Sequence, residues 1–246
     1  MTLDPRRRRG FLSDVIPDDF PLVTVVLVGL CVLFYFITVK VTADATGESV
    51  TGPSNLVLAR YGATFTPLVA EGEWWRFFSS VFLHGGVLHI LLNSLGLWQL
   101  GKESEERFGR SRTLTVFVVA GAAGMATSYG LRDEVFVVGA SGGIFGLMGL
   151  IIAHAIRQHG GRFTHELRAR FVPWLLYAVI FSFAARVDYF AHLGGFLAGA
   201  AFGCFIGDKQ VVRRLPVVWQ VAAFAAVAWV AAALVLATRS PLVPAF

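Results

Sequence analysis

Residues 138–150 read VGASGGIFGLMGL, a single serine and five glycines in a stretch apolar enough to enter a bilayer. Taken alone, the stretch supports a plain reading. The Ser141 hydroxyl would return to the carbonyl one turn earlier, and the glycines would let helices pack closely. Whether Ser141 does more depends on what surrounds it.

The surroundings are those of a polytopic membrane protein. The 246 residues are 56% hydrophobic and 15% charged, with a mean hydropathy of +0.66. The charges cluster between long apolar runs rather than spreading evenly, as expected for successive spans. Spans are expected at 20–39, 86–101, 113–130, 138–156, 171–186, 191–207 and 216–237, an all-α fold with no room for a separate soluble domain. The first opens with PDDFP, where Asp18 or Asp19 would cap the helix and Pro21 would sit in its first turn. It is too long and too far from the start of the chain for an ordinary cleaved signal peptide.

Basic residues set the expected orientation. With the N-terminus in the cytoplasm and seven crossings, 15 of the 21 lysines and arginines fall on the cytoplasmic side. That arrangement obeys the positive-inside rule and puts the C-terminus outside. The net charge of +5 is then accounted for by loops facing anionic headgroups and gives no reason to expect a nucleic-acid partner. The two cysteines, Cys31 and Cys204, lie within spans and read as small apolar packing residues. The long first connection, roughly 41–85, begins polar and ends aromatic at Phe65, Trp74, Trp75, Phe77 and Phe78. The Trp pair beside Arg76 is expected at headgroup level, with the guanidinium reaching a polar partner.

Four polar residues share one depth. The second span, HGGVLHILLNSLGLWQLG, puts His89 and Asn93 one turn apart on one face near its outer end. Ser141 starts the fourth span, and His192 lies near the outer end of the sixth, AHLGGFLAGAAFGCFIG. All three spans run inward. Gly195, Gly199, Gly203 and Gly207 recur every four residues on the sixth, beginning on the face of His192; Gly142, Gly146 and Gly149 form a second stripe beside Ser141. If the stripes meet, a histidine comes to the serine.

That pairing is the chemistry of a serine hydrolase. A serine hydroxyl needs a base to take its proton, and a neutral imidazole can serve. Acyl transfer also needs donors for the oxyanion. His89, the Asn93 amide and the Ser141 backbone N–H are of the right kind at the right depth. Asp188, four residues before His192, reads as a cap on the sixth helix, with orientation of His192 as the other role open to it. Metal chemistry finds no support: His165–Glu166 is not followed by a second histidine at zinc-protease spacing. His154, His159 and His165 sit among arginines and read as solvated. An aspartyl site would need two carboxylates within spans, and the sequence offers none; no cofactor is implied.

At this point the residues resemble the rhomboid family of intramembrane serine proteases. The likeness runs from about Glu71 to Gly207 through GEWWRFFSSVFLHGGVLHILLN, GKESEERFG, GASGGIFGLMG and VDYFAHLGGFLAG, in order. The resemblance implies a six-helix bundle with one extra C-terminal helix. Residues 1–19 would be a cytoplasmic tail, 20–207 the catalytic membrane domain, and 208–246 a cytoplasmic link and the added helix. It implies Ser141 as nucleophile, His192 as base without an acidic third member, and His89 and Asn93 in the oxyanion hole. Trp75 and Arg76 would hold the first loop in the membrane face, and Glu105 matches a structural glutamate at the inner end of the second helix. Some bacterial members carry tyrosine where this chain has Phe145; stacking on His192 would survive that difference. The implied activity is cleavage of single-span membrane proteins near the outer ends of their helices, in a bacterial plasma membrane. Substrate would come laterally past the fifth helix at Phe181 and Phe183. The competing reading is a catalytically silent relative that binds or routes membrane proteins.

Overall fold

The structure, a computed structural model, describes residues 20–47, 51–160, 164–166, 168–169, 171–173, 176, 188–206 and 216–241. Its helices follow the apolar runs, with ends set by local chemistry. Helix α1 (Leu22–Thr46) outlasts its expected span and ends at Gly47. Its last residues, 44–46, are exposed, and Asp44 pairs with exposed Lys40 at 2.8 Å across one turn. Pro21 is its N-cap rather than part of its first turn, and it supplies no side-chain bond. Asp18 and Asp19 lie outside the described residues. The free amides at this end are met from far away in sequence. Glu105 accepts hydrogen bonds from the Val23 and Thr24 amides at 3.1 and 2.6 Å and from the Thr24 hydroxyl at 2.6 Å. A carboxylate here satisfies orphan donors and complements the positive end of the helix.

The first connection folds instead of trailing. It contains α2 (Asn55–Arg60), the two-residue strand β1 (Thr64–Phe65), α3 (Thr66–Ala70), α4 (Arg76–Ser79) and a 3₁₀ turn at Ser80–Phe82. Arg76 is fully buried at its centre. Its Nε donates to Glu73 at 2.6 Å, and Nη1 donates to the carbonyls of Ala59 and Ala63 at 2.5 and 3.2 Å. One guanidinium thereby ties three turns of loop together.

The chain then bends by 93° into α5 (Val87–Phe108), which continues through the charged stretch GKESEERF. Gly109, at φ +88°, allows the reversal into α6 (Arg110–Leu131). A second short strand, β2 (Phe136–Val137), pairs antiparallel with β1, Thr64 opposite Val137. Helices α7 (Ser141–Gln158), α8 (Tyr189–Phe205) and α9 (Pro216–Arg239) complete the described elements. Of the fifth span expected at 171–186, only 171–173 and 176 are described, so Phe181 and Phe183 fall outside. Among the described residues, Leu22–Thr46, Arg110–Leu131 and Val217–Ala237 are each long and apolar enough to cross a membrane unaided. The fold is an all-α multi-pass membrane bundle.

At the core α7 packs against α6 and α8 so closely that the glycines become obligatory. A Cβ at Gly195 would overlap the carbonyl oxygen of Gly142, one at Gly199 that of Gly146, and one at Gly149 that of Phe196. The two glycine stripes do meet, backbone to backbone, over three turns. Gly207, the last of the expected stripe, is outside the described residues.

Two expectations need correction. His154 is buried, its Nδ1 3.0 Å from the Ile206 carbonyl and its ring edge-on to Phe108. Arg157, whose presence suggested solvent, instead donates to the Cys204 and Ile206 carbonyls at 2.9 and 2.7 Å and closes the end of α8. Cys31 is buried as expected, but Cys204 is exposed on α8. In the Trp pair, Trp75 is buried against Ala233 and Ala237 of α9, while Trp74 is half exposed and stacks on Trp229; Arg76 beside them reaches a polar partner, Glu73, as expected.

Candidate active site

Ser141 is the first residue of α7, and its N-cap Ala140 supplies no side-chain hydrogen bond. The opening amides of the helix therefore have no intrahelical partner and form its positive end. The approach to this point is fixed on two sides. The Gly139 amide donates to the Ser80 carbonyl at 2.9 Å, and the β1–β2 pair anchors the preceding residues to the first loop.

Gly139 has φ +133°, a backbone state closed to most side chains. It also admits a neighbour. A Cβ placed there would lie 2.7 Å from His89 Nε2 and 3.9 Å from Ser141 Oγ, so the imidazole and the hydroxyl flank one point. The His89 Nε2 atom is buried without a hydrogen-bond partner. Asn93, also buried, donates through Nδ2 to the His89 carbonyl at 2.9 Å, while its Oδ1 has no partner. Unpaired buried polar atoms are rare and costly, and they concentrate where a ligand or a reaction completes them.

His192 is the fourth residue of α8 and is buried. Two contacts tie its neighbourhood to the first turns of α7. The Ala191 carbonyl, beside His192, lies 3.4 Å from where a Cβ on Gly142, beside Ser141, would sit. One turn on, the Phe145 ring stacks on the His192 imidazole with centroids 4.3 Å apart and planes 9° from parallel. The tyrosine-to-phenylalanine difference thus leaves the stack in place. Asp188 is the α8 cap, as expected. Its Oδ1 accepts from the Phe190 and Ala191 amides at 3.0 and 3.1 Å. Its Oδ2 accepts from Ser128 Oγ at 2.5 Å and Arg132 Nη1 at 2.6 Å. With both oxygens so engaged, the carboxylate is committed to holding α8 against the end of α6.

The structure therefore gathers Ser141, His89, Asn93 and His192 at one end of the bundle, on three different helices. Sequence reasoning missed two members of this neighbourhood. His84 is fully buried and meets His89 edge-on at 5.1 Å. Gly139, in the same GASG run as Ser141, was legible only as a packing glycine. A second histidine five residues before His89 was the available signal for His84.

With this geometry in view, comparison with known proteins is decisive for the family. Residues 71–209 match the rhomboid domain. The chain belongs to the rhomboid family. RHOMBOID-like protein 5 of Arabidopsis thaliana is 37% identical over 159 residues, 62% of this chain and 50% of that protein. Rhomboid protease GluP of Bacillus subtilis (strain 168) is 28% identical over 208 residues, 82% of this chain and 39% of that protein. Rhomboid-like protease 3 of Toxoplasma gondii is 30% identical over 168 residues, 67% and 63% of the two chains. The chain spans half or less of the length of the first two of these rhomboids. Two of these three relatives are named as proteases.

Proposed function

We propose that this rhomboid is an intramembrane serine endopeptidase working through a Ser141–His192 dyad. The observation that supports the reading is the backbone contact between α7 and α8, with the Ala191 carbonyl against Gly142 and the His192 imidazole stacked on Phe145, one turn after Ser141. In the proposed reaction His192 takes the Ser141 proton as Oγ attacks the scissile carbonyl. The oxyanion that forms lies toward the open amides at the start of α7, with His89 and the second Asn93 amide hydrogen as further donors. The imidazolium then protonates the leaving amine, and the peptide breaks to an acyl-enzyme. Water, activated by the same histidine, releases the second product and restores the hydroxyl.

The unit proposed to do this spans 20–207, with 1–19 as a cytoplasmic tail and 208–246 as a link and added helix. Substrates are proposed to be single-span proteins in a bacterial plasma membrane. With the N-terminus cytoplasmic and the C-terminus outside, they would be cut near the outer ends of their helices. Helical backbone hides its carbonyls from a nucleophile, so good substrates carry glycine or proline near the cut, with a small residue before it. The test is labelling with a fluorophosphonate in parallel with cleavage of a single-span reporter. Both should be present in the wild type and absent in a folded Ser141→Ala protein. Equal labelling of the two would overturn the dyad.

A further inference from the structure

The added helix α9 is packed on the element that shapes the candidate site. Trp229 lies halfway along α9 and stacks on Trp74, with centroids 5.2 Å apart and planes 17° from parallel. It also meets Phe78 edge-on at 5.9 Å. One and two helical turns further on, Ala233 and Ala237 bury Trp75, whose ring centroid also lies 4.7 Å from the Arg76 guanidinium carbon. These three aromatic partners, Trp74, Trp75 and Phe78, belong to α4 or the two residues before it, and α9 also reaches Gly62, where a Cβ would lie 3.1 Å from that of Ala237.

Helix α4 has four residues, too few to hold its shape without tertiary support. It leads directly into Ser80, and Ser80 is bonded in two directions. Its hydroxyl lies 2.9 Å from Thr64 Oγ1 in β1, and its carbonyl receives the Gly139 amide two residues before Ser141. Four residues later His84 touches the ring of His89. From Trp229 to the loop that carries the serine there is thus an unbroken series of contacts. It runs through Trp74 and Phe78, along α4 to Ser80, and across one hydrogen bond to Gly139.

We propose that Trp229 is a positioning residue: through α4 and Ser80 it holds the Gly139–Ser141 turn and His89 in register. This rests on the function proposed above for what the register serves, but not for the register itself. Without Trp229, α4 keeps its Arg76 ties and the packing of Trp75 on Ala233 and Ala237 but loses the Trp74 stack and the Phe78 edge contact, and a site displaced by about 1 Å can lose on the order of 100-fold in rate.

The experiment compares wild type, Trp229→Ala and Trp229→Phe as full chains in lipid nanodiscs. Hydrogen exchange read by mass spectrometry is its first arm. In Trp229→Ala, exchange should rise within 76–83 and within 139–143 by up to about tenfold, the worth of an aromatic pair. In Trp229→Phe it should stay near wild type. This arm needs no turnover, so it decides the proposal even in a chain that cuts nothing. The second arm is reporter cleavage. Trp229→Ala should lose roughly tenfold in kcat with KM held within about twofold, and Trp229→Phe should restore it. To control for loss of folding, Trp74 and Trp229 are both changed to cysteine in a background lacking Cys31 and Cys204. Joining them with a short bis-thiosulfonate linker should return exchange at 139–143 to the wild-type level. Unchanged exchange at 139–143 in Trp229→Ala, or no recovery on linking, overturns the proposal.

Discussion

The Phe145 and His192 rings lie face to face, 4.3 Å between centroids and 9° from parallel, so the orientation of the candidate base is set by a side chain one turn from the candidate nucleophile. An aromatic pair contributes about 0.5–1.5 kcal/mol beyond the area it buries. Phe145→Leu keeps the site apolar but removes the flat surface. Turnover of a single-span reporter should fall by up to about tenfold, about 1.4 kcal/mol being a factor of ten. Fluorophosphonate labelling should slow in parallel, because both reactions need the imidazole placed to take the Ser141 proton.

The glycine contacts make a sharper demand. A Cβ at Gly199 would overlap the Gly146 carbonyl oxygen, which is backbone and cannot rotate aside. Gly199→Val should therefore separate α7 from α8 and cost about 100-fold in turnover. Activity should disappear before the helical circular dichroism signal does. A Cβ on Gly29, in α1, would meet nothing within 4 Å, and Gly29→Ala should leave turnover unchanged. Parity between the two variants in a cleavage assay would show that the stripe is not what brings His192 to Ser141.

The contrast between these glycines also explains what was readable beforehand. Gly195, Gly199 and Gly203 repeat at helical spacing, so their common face follows from the period of an α-helix. Ser141, His192, His89 and Asn93 were legible because each starts or nears the start of an apolar run, where a polar side chain stands out. The same logic failed for His154. Its neighbour Arg157 looks like a mark of solvent in sequence, yet in space it turns back to the α8 carbonyls. Nor could any periodicity relate Trp74 to Trp229, 155 positions apart. Pairings of that kind depend on how a folded loop meets a separate helix, and neither segment carries the other's signature.

Arg76 gives a prediction about stability. Its guanidinium is fully buried, bonded to Glu73 and to the carbonyls of Ala59 and Ala63. Removing one partner of a buried pair leaves the other charge unsatisfied and typically costs about 3–5 kcal/mol. Arg76→Ala should lower the midpoint of thermal unfolding in detergent clearly. Arg76→Lys should recover only part of the loss, since an ammonium cannot present the planar fork that reaches both Glu73 and the two carbonyls. Proteolytic nicking within 51–83 should accompany the destabilised variants. An unfolding midpoint unmoved by Arg76→Ala would mean that the loop is held by its aromatic packing alone.

Glu105 should separate stability from activity. It sits 16 residues after His89 on the same helix, α5, and at about 1.5 Å per residue that is about 24 Å away. Its carboxylate serves the start of α1, accepting from the Val23 and Thr24 amides and from the Thr24 hydroxyl. Gly101, one turn earlier, lets α1 come this close, because a Cβ there would lie 2.6 Å from Thr24 Oγ1. Glu105→Gln keeps one acceptor oxygen but turns the other position into a donor that faces donors, and it removes the negative charge opposite the helix N-terminus. A charge-assisted bond is worth about 1.5–3 kcal/mol, so the unfolding midpoint should drop by several degrees, with faster hydrogen exchange at 22–26. The folded fraction should still label with fluorophosphonate at the wild-type rate, because nothing in the Gly139–Ser141 turn or at His192 depends on this end of the bundle. A Glu105→Gln protein that keeps its stability but labels slowly would reverse that assignment and make the inner end of α5 part of the catalytic scaffold.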